Sequence, residues 1–224
     1  MDVLGKLRSP DERSAGAAQA TRAAAQPAVR HSNGLKDFLW LMPNEPPGRL
    51  LDLGPVSQAT VSFFTERGFR VSTEDLIRCW DEFEAERKSR TEESGDAEPP
   101  DPAALAAEYL QANLLFEPES FQGILAWDVF DFLETELLEP LVARLHEMLV
   151  PGGVLLAAFH DATAADVFHY RVRDGETLEL VPARRPQMVR RVFQNREILA
   201  LFSGFRSSRT FVGRDHLREA LFLK

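Results

Sequence analysis

The stretch Leu50-Leu51-Asp52-Leu53-Gly54-Pro55, read together with Glu74, decides the fold. An apolar strand runs into an acidic residue and a glycine, and a helical pattern follows at 58–67 with Val61 and Phe64 on one face. Gly68 ends that helix, 69–73 is a second apolar strand, and Glu74 stands at its tip, 20 residues beyond Gly54 (74 − 54). A glycine at such a turn lets a ligand approach the backbone with no Cβ in the way. The helix start offers free N–H groups, and an acid at the tip of the next strand can accept both hydroxyls of an adenosine ribose.

Outward from this stretch the pattern repeats. Segments 49–53, 69–73, 121–127 and 154–159 are uniformly apolar and alternate with helical patterns. The clearest helix is 136–149, where Leu137, Leu138, Leu141, Leu145 and Met148 recur at helical spacing, followed by a turn at 151–153. Such strands imply a mostly parallel sheet covered on both faces, an α/β doubly wound, Rossmann-like fold. Further on, 168–173 and 177–181 flank Asp174-Gly175, a hairpin signal. Asn195 is placed to cap a helix over 195–202, and 206–212 and 219–223 read as two closing strands. Residues 1–32, rich in Ala, Arg, Ser and Gln, read as a disordered tail, so the domain is expected over 33–224. It opens with a short helix carrying Leu35, Phe38, Leu39 and Met42; the charged segment 84–102 is expected as a flexible acidic insertion.

The length of 224 residues suits one domain with tails, and 44% hydrophobic residues suit a sizeable core. The net charge of −9 is uneven: 81–101 holds nine acidic and three basic residues, whereas 171–224 holds twelve basic and six acidic. The basic third is either a set of solvated arginines or an attractor of phosphate, carboxylate or nucleic acid. Cys79 is the only cysteine, so no internal disulfide and no cysteine metal cluster is expected. No apolar run reaches the ~20 residues a bilayer requires, and none near the start has signal-peptide character. No membrane association is therefore expected, and the compartment is read as cytoplasmic.

The chain resembles the class I S-adenosylmethionine-dependent methyltransferase family from about Leu35 to the end. Leu50–Gly54 resembles the family's first motif and Val71–Asp75 its acidic second-strand end. Phe121-Gln122-Gly123-Ile124-Leu125-Ala126-Trp127-Asp128 resembles its fourth strand, and Met148-Leu149-Val150-Pro151-Gly152-Gly153-Val154-Leu155 its helix, turn and fifth strand. The closing pair resembles the family's, in which the last strand runs antiparallel. The resemblance implies S-adenosyl-L-methionine as cofactor, held by Asp52, Gly54, Glu74, Asn113 and Asp128, with Asn113 at the adenine amine. Where the family has two further alternating glycines, this chain has Val56 and Gln58, and Pro55 removes an N–H. A Cβ at either place is expected either to crowd the methionine part of the cofactor or to force a different backbone turn.

The catalytic candidates are Asp128 and His160. Asp128, at the mouth of the fourth strand, is placed to touch cofactor or to take a substrate proton. His160, just past the fifth strand, is either a general base or one of an ordinary loop pair with Asp161. Asp131 reads as an N-cap, and Trp127 and Phe130 as core rather than stacking partners. The implied activity is methyl transfer to an unidentified substrate, a small molecule ahead of a nucleic acid. The alternative is a non-catalytic interaction or regulatory protein on the same fold. A methyltransferase acting on RNA ranks third, because the basic residues and aromatics do not form a recognisable binding module.

Overall fold

The computed structural model describes residues 28–43, 47–94, 101–161, 168–183, 189–213 and 216–224. Its centre is a sheet of β2 (Gly48–Asp52), β3 (Phe69–Thr73), β4 (Phe121–Trp127), β5 (Leu149–His160), β8 (Ser207–Val212) and β9 (Leu217–Leu223), in the order β3-β2-β4-β5-β9-β8. The first four are parallel neighbours and β9 runs antiparallel to β5. The chain is thus a doubly wound α/β sheet of Rossmann-like kind. The uniformly apolar strands are buried as that reading requires: Leu50, Leu51, Ile124, Leu125 and Leu155 are fully enclosed. One face packs on α3 (Leu76–Ser94), α4 (Pro102–Asn113), α6 (Thr135–Met148) and α7 (Asn195–Leu201). The other packs on α1 (Asn33–Leu41) and α2 (Gln58–Thr65).

The 151–153 turn lies inside β5 as a bulge. The β4–β5 register jumps from Phe121↔Leu149 to Gly123↔Val154, and Gly152 absorbs the irregularity at φ 78°.

Three expectations are corrected. Residues 28–31 of the expected 1–32 tail form β1, antiparallel to β7 (Thr177–Pro182); residues 1–27 lie outside the described ones. β1 offers no apolar alternation to read: its one buried residue is Arg30, whose Nε donates to the Glu219 carboxylate at 3.4 Å. The acidic insertion is helix as far as Ser94, with 95–100 outside the described residues. Its charged residues cannot build a core, but Glu, Arg and Lys are good helix formers. The Arg78–Glu82 pair and the packing of Trp80 and Phe83 on Tyr109 hold the helix in place. The last helix is entered through Gln194, whose N–H donates to Glu197 at 2.7 Å, while Asn195 accepts from Arg218.

The 168–181 hairpin forms as expected but outside the main sheet. β6 (Phe168–Val172), β7 and β1 make a second sheet of order β1-β7-β6 that lies on the α1–α2 face. Among the described residues no helix is long and apolar enough to cross a membrane. Because Arg30 and Glu219 are buried at 8% and 5% side-chain exposure, removing one partner leaves an uncompensated charge. Arg30→Ala should therefore lose about 3 kcal/mol in urea unfolding, where a mere tail residue would lose nothing measurable.

Candidate functional site

In this sheet β2 connects to β3 on one side while β4 connects to β5 on the other, so the strand order reverses between β2 and β4. Open α/β sheets bind ligands at the carboxyl ends of the strands flanking such a reversal. Here those ends are Asp52 and Trp127. The Asp52 carboxylate is 1% exposed, and its Oδ1 accepts the Trp127 indole N–H at 2.7 Å and the Gly54 backbone N–H at 3.1 Å. Burial pushes the Asp52 carboxyl up to about 6, against the pull of those two bonds.

Trp127 reaches this position through a left-handed backbone, φ 30°, uncommon for a bulky residue and often found at functional sites. Its ring lies against Gly54 so closely that a Cβ there would sit 2.8 Å from the indole. The glycine is needed, and what it accommodates in this structure is Trp127. The Tyr170 ring of β6 stacks on the indole, 5.0 Å between centroids and 3° between planes. The next residues of β6 continue across α2, where the Val172 N–H donates to Thr60 Oγ1. β6 therefore roofs the reversal point. The space left among Trp127, Tyr170, Arg30 and Glu219 is about 10 Å³, room for about one water.

The second half of the site starts at the Tyr170 hydroxyl, which donates to Asp128 Oδ2 at 3.1 Å. His160, the last residue of β5, lies with Nε2 3.8 Å from the same oxygen. Its Nδ1 and its backbone N–H both donate to Asp131 Oδ2, at 2.8 and 2.6 Å. That partner places the neutral-ring proton on Nδ1. His160 Nε2 and Asp131 Oδ1 are buried without hydrogen-bond partners. Burial pushes Asp128 up to about 7, reinforced by Asp131 and opposed by His160 and Tyr170. Burial would lower His160, but the Asp131 hydrogen bond and the charges of Asp128 and Asp131 more than reverse it. Burial also raises Asp131, opposed by the His160 bonds.

Asp52, Gly54, Asp128 and His160 are thus brought together, and Glu74 stands beside them. The Glu74 N–H bonds to Asp52 O at 2.8 Å, while its half-buried carboxylate lies 3.4 Å from the Cys79 thiol. Asn113 is not brought in, and the adenine contact expected of it is withdrawn. It ends α4, which runs to the opposite edge of the sheet to deliver β4, and its amide donates to Tyr109 O. Its neighbour Leu114 is held by Arg144 near the far end of α6. Val56 and Gln58 do not crowd the crevice either, since both side chains are exposed. Two roles are not legible in the sequence. Asp131, expected as a cap, holds His160, and Tyr170 enters the site from a hairpin whose sequence says nothing about where it docks.

No family model matches the chain, and no curated protein matches it. Among solved structures it is similar to the 1,6-didemethyltoxoflavin-N1-methyltransferase of Burkholderia thailandensis, solved with 1,6-didemethyltoxoflavin and S-adenosylhomocysteine. That likeness has 16% identity over 86% of this chain and 77% of that one, with a TM-score of 0.45. It is also similar to an S-adenosylmethionine-dependent methyltransferase of Mesorhizobium loti, at 14% identity over 84% and 96% and a TM-score of 0.46. A TehB-like methyltransferase of Corynebacterium glutamicum has 15% identity over 85% and 87% and a TM-score of 0.44. At these identities the likeness is one of fold alone.

The titration of the cluster has one sign. Asp52 and Asp128 have folded pKa values above the unfolded 3.8, so the folded state binds more protons and stability falls as pH rises from about 4 through 6 and 7. His160, raised above 6.5, adds stability that is present below 6.5 and lost above its folded value. Asp128→Asn keeps an acceptor for Tyr170 without the buried charge. It should be more stable than the parent at pH 8 by roughly 2–4 kcal/mol, with the gap closing toward pH 4. Thermal or urea unfolding across pH checks this; a variant less stable at pH 8 contradicts it.

Proposed function

We propose that the chain transfers a methyl group from S-adenosyl-L-methionine to a small-molecule acceptor at the carboxyl edge of β2, β3 and β4. The observation that supports this most is the convergence of Asp52–Gly54, Glu74 and the Asp128–His160 pair on the point where strand order reverses. The residues fit the cofactor at its ribose, where Glu74 offers a carboxylate whose one side-chain bond among the described residues comes from the Cys79 thiol at 3.4 Å. At Gly54 the fit requires the indole of Trp127 to turn away, or to serve as the surface on which the cofactor rests. When bound, the cofactor supplies a methyl group activated by its sulfonium.

The remaining work falls to the chain. Methyl transfer to a nucleophile needs in-line positioning, with a base only where the nucleophile must lose a proton. Asp128 and His160 Nε2 form a pair able to hold that proton, with Asp131 and Tyr170 fixing their orientation. Both groups are buried, and the Tyr170 hydroxyl rests on Asp128, so an acceptor reaches Asp128 when Tyr170 lifts. A small acceptor is favoured because several arginines of the basic third are engaged. Arg190 pairs with Glu134, Arg209 with Asp37, Arg171 with Glu179, and Arg218 holds Asn195 and Phe193 O.

The position of Trp127 against Gly54 favours a second reading, a non-catalytic protein in which the indole has taken the ligand's place. Calorimetric titration with S-adenosylmethionine separates the two. Binding that weakens at least about tenfold in Glu74→Ala supports the cofactor site, since hydrogen bonds to charged groups are worth ~1.5–3 kcal/mol each. Binding unchanged in Glu74→Ala removes Glu74 from the ribose. No binding at millimolar cofactor leaves the non-catalytic reading in place.

A further inference from the structure

Tyr170 sits over the crevice as a bound molecule would. Its phenol ring lies flat on the Trp127 indole, and its hydroxyl donates to Asp128 Oδ2 at 3.1 Å. Burial, with the Asp128 carboxylate beside it, raises the Tyr170 hydroxyl well above its ordinary range, so it rests there as a neutral donor. The strand that carries it is no part of the main sheet. Among the described residues β6 pairs with β7 alone, at the edge of the small sheet. Tyr170 can therefore leave Trp127 and Asp128 without breaking the ladder of β2, β4 and β5. What it vacates is a seat the size of one phenol at the carboxyl end of β4, with an indole on one side and a buried carboxylate at its end.

Those two contacts define what else fits. Stacking on the indole calls for a flat aromatic ring. An aliphatic alcohol would reach Asp128 but leave the indole uncovered. An arene without a hydroxyl would cover the indole and leave the buried Asp128 oxygen without its donor. A carboxylate would meet the charges of Asp128 and Asp131. A phenol supplies both contacts, as Tyr170 does. We propose, resting on the methyl-transfer reading above, that Tyr170 holds the acceptor's place and that the acceptor is a phenol, seated on Trp127 with its hydroxyl on Asp128. This takes the arrangement in which Trp127 stays as a surface and does not turn away. In the transfer the phenol oxygen gives its hydrogen to Asp128 Oδ2 and bonds to the methyl carbon. The electron pair of the broken carbon–sulfur bond stays on sulfur, so the products are an aryl methyl ether and S-adenosylhomocysteine. Asp128 suits that proton. Burial has brought its carboxyl up to about 7, nearer a phenol's ordinary ~10 than a solvated carboxylate stands. His160 Nε2 lies 3.8 Å from the oxygen that takes it.

The probe is p-cresol, the tyrosine side chain as a free molecule. The test follows indole N–H resonances of the ¹⁵N-labelled full chain, with the Trp127 signal assigned by elimination in Trp40→Phe and Trp80→Phe. Without cofactor, p-cresol should shift the Trp127 signal saturably and leave that of the exposed Trp40 in place. Toluene and cyclohexanol, each able to make one of the two contacts, should bind at least about tenfold more weakly. Tyr170→Ala empties the seat and should bind p-cresol at least about tenfold tighter than the parent. Tyr170→Phe keeps the ring and the packing but gives up the bond to Asp128, so it too should bind p-cresol tighter than the parent. In Asp128→Ala the advantage of p-cresol over toluene should vanish. With S-adenosylmethionine present, mass spectrometry should find 4-methylanisole. The inference is overturned if ~10 mM p-cresol leaves the parent's Trp127 signal in place, if toluene or cyclohexanol binds as tightly, or if neither Tyr170 variant gains affinity. It is overturned equally if Asp128→Ala keeps the preference, or if both molecules bind and no ether forms. A protein that binds S-adenosylmethionine but not p-cresol loses this inference alone, whereas one that binds p-cresol but not S-adenosylmethionine loses the methyl-transfer reading.

Discussion

The bond from the Trp127 indole to the Asp52 carboxylate ties together the ends of the two strands between which the sheet reverses. Much of the neighbouring structure follows from it. It requires glycine at position 54, because any Cβ would meet the ring. It holds Trp127 in a left-handed backbone and offers a flat surface for Tyr170, which brings β6 and its small sheet down over the crevice. It also keeps a carboxylate buried at a pKa near 6, so the closed arrangement carries an electrostatic cost that grows as pH rises. The closed arrangement also leaves His160 Nε2 and Asp131 Oδ1 buried without hydrogen-bond partners.

Much of this architecture is legible in the sequence because burial on both faces leaves continuous apolar runs. Segments 69–73 and 121–127 match β3 and β4 residue for residue, and β2 begins one residue earlier than read. Asp52, Gly54, Glu74, Asp128 and His160 are legible for a related reason: each stands at or next to the end of such a strand, where topology alone gathers side chains. Asn113 fails because it was placed by likeness to a pattern; the path of α4 carries it to the wrong edge.

What stays hidden depends on contacts between distant parts of the chain. Arg30 marks β1 through distant contacts, with Glu219 189 residues away and with Leu217 O, and no local periodicity reports them. Tyr170 is an ordinary strand residue until the hairpin docks over Trp127. The helix through Glu84–Ser94 was hidden differently: its charge describes a segment that cannot form a core alone. That composition does not prevent helix formation where Trp80 and Phe83 anchor one end.

The crevice at Asp52 and Gly54, now filled by Trp127, is proposed as a cofactor site that opens. A crystal structure of the protein grown with millimolar S-adenosylhomocysteine tests it most directly. The expected structure has the ribose hydroxyls on Glu74 and the Trp127 ring either turned away from Gly54 or lying beneath the ligand, with Tyr170 displaced from its stack. Well-ordered crystals with no ligand at this edge and the Asp52–Trp127–Tyr170 arrangement intact would contradict it.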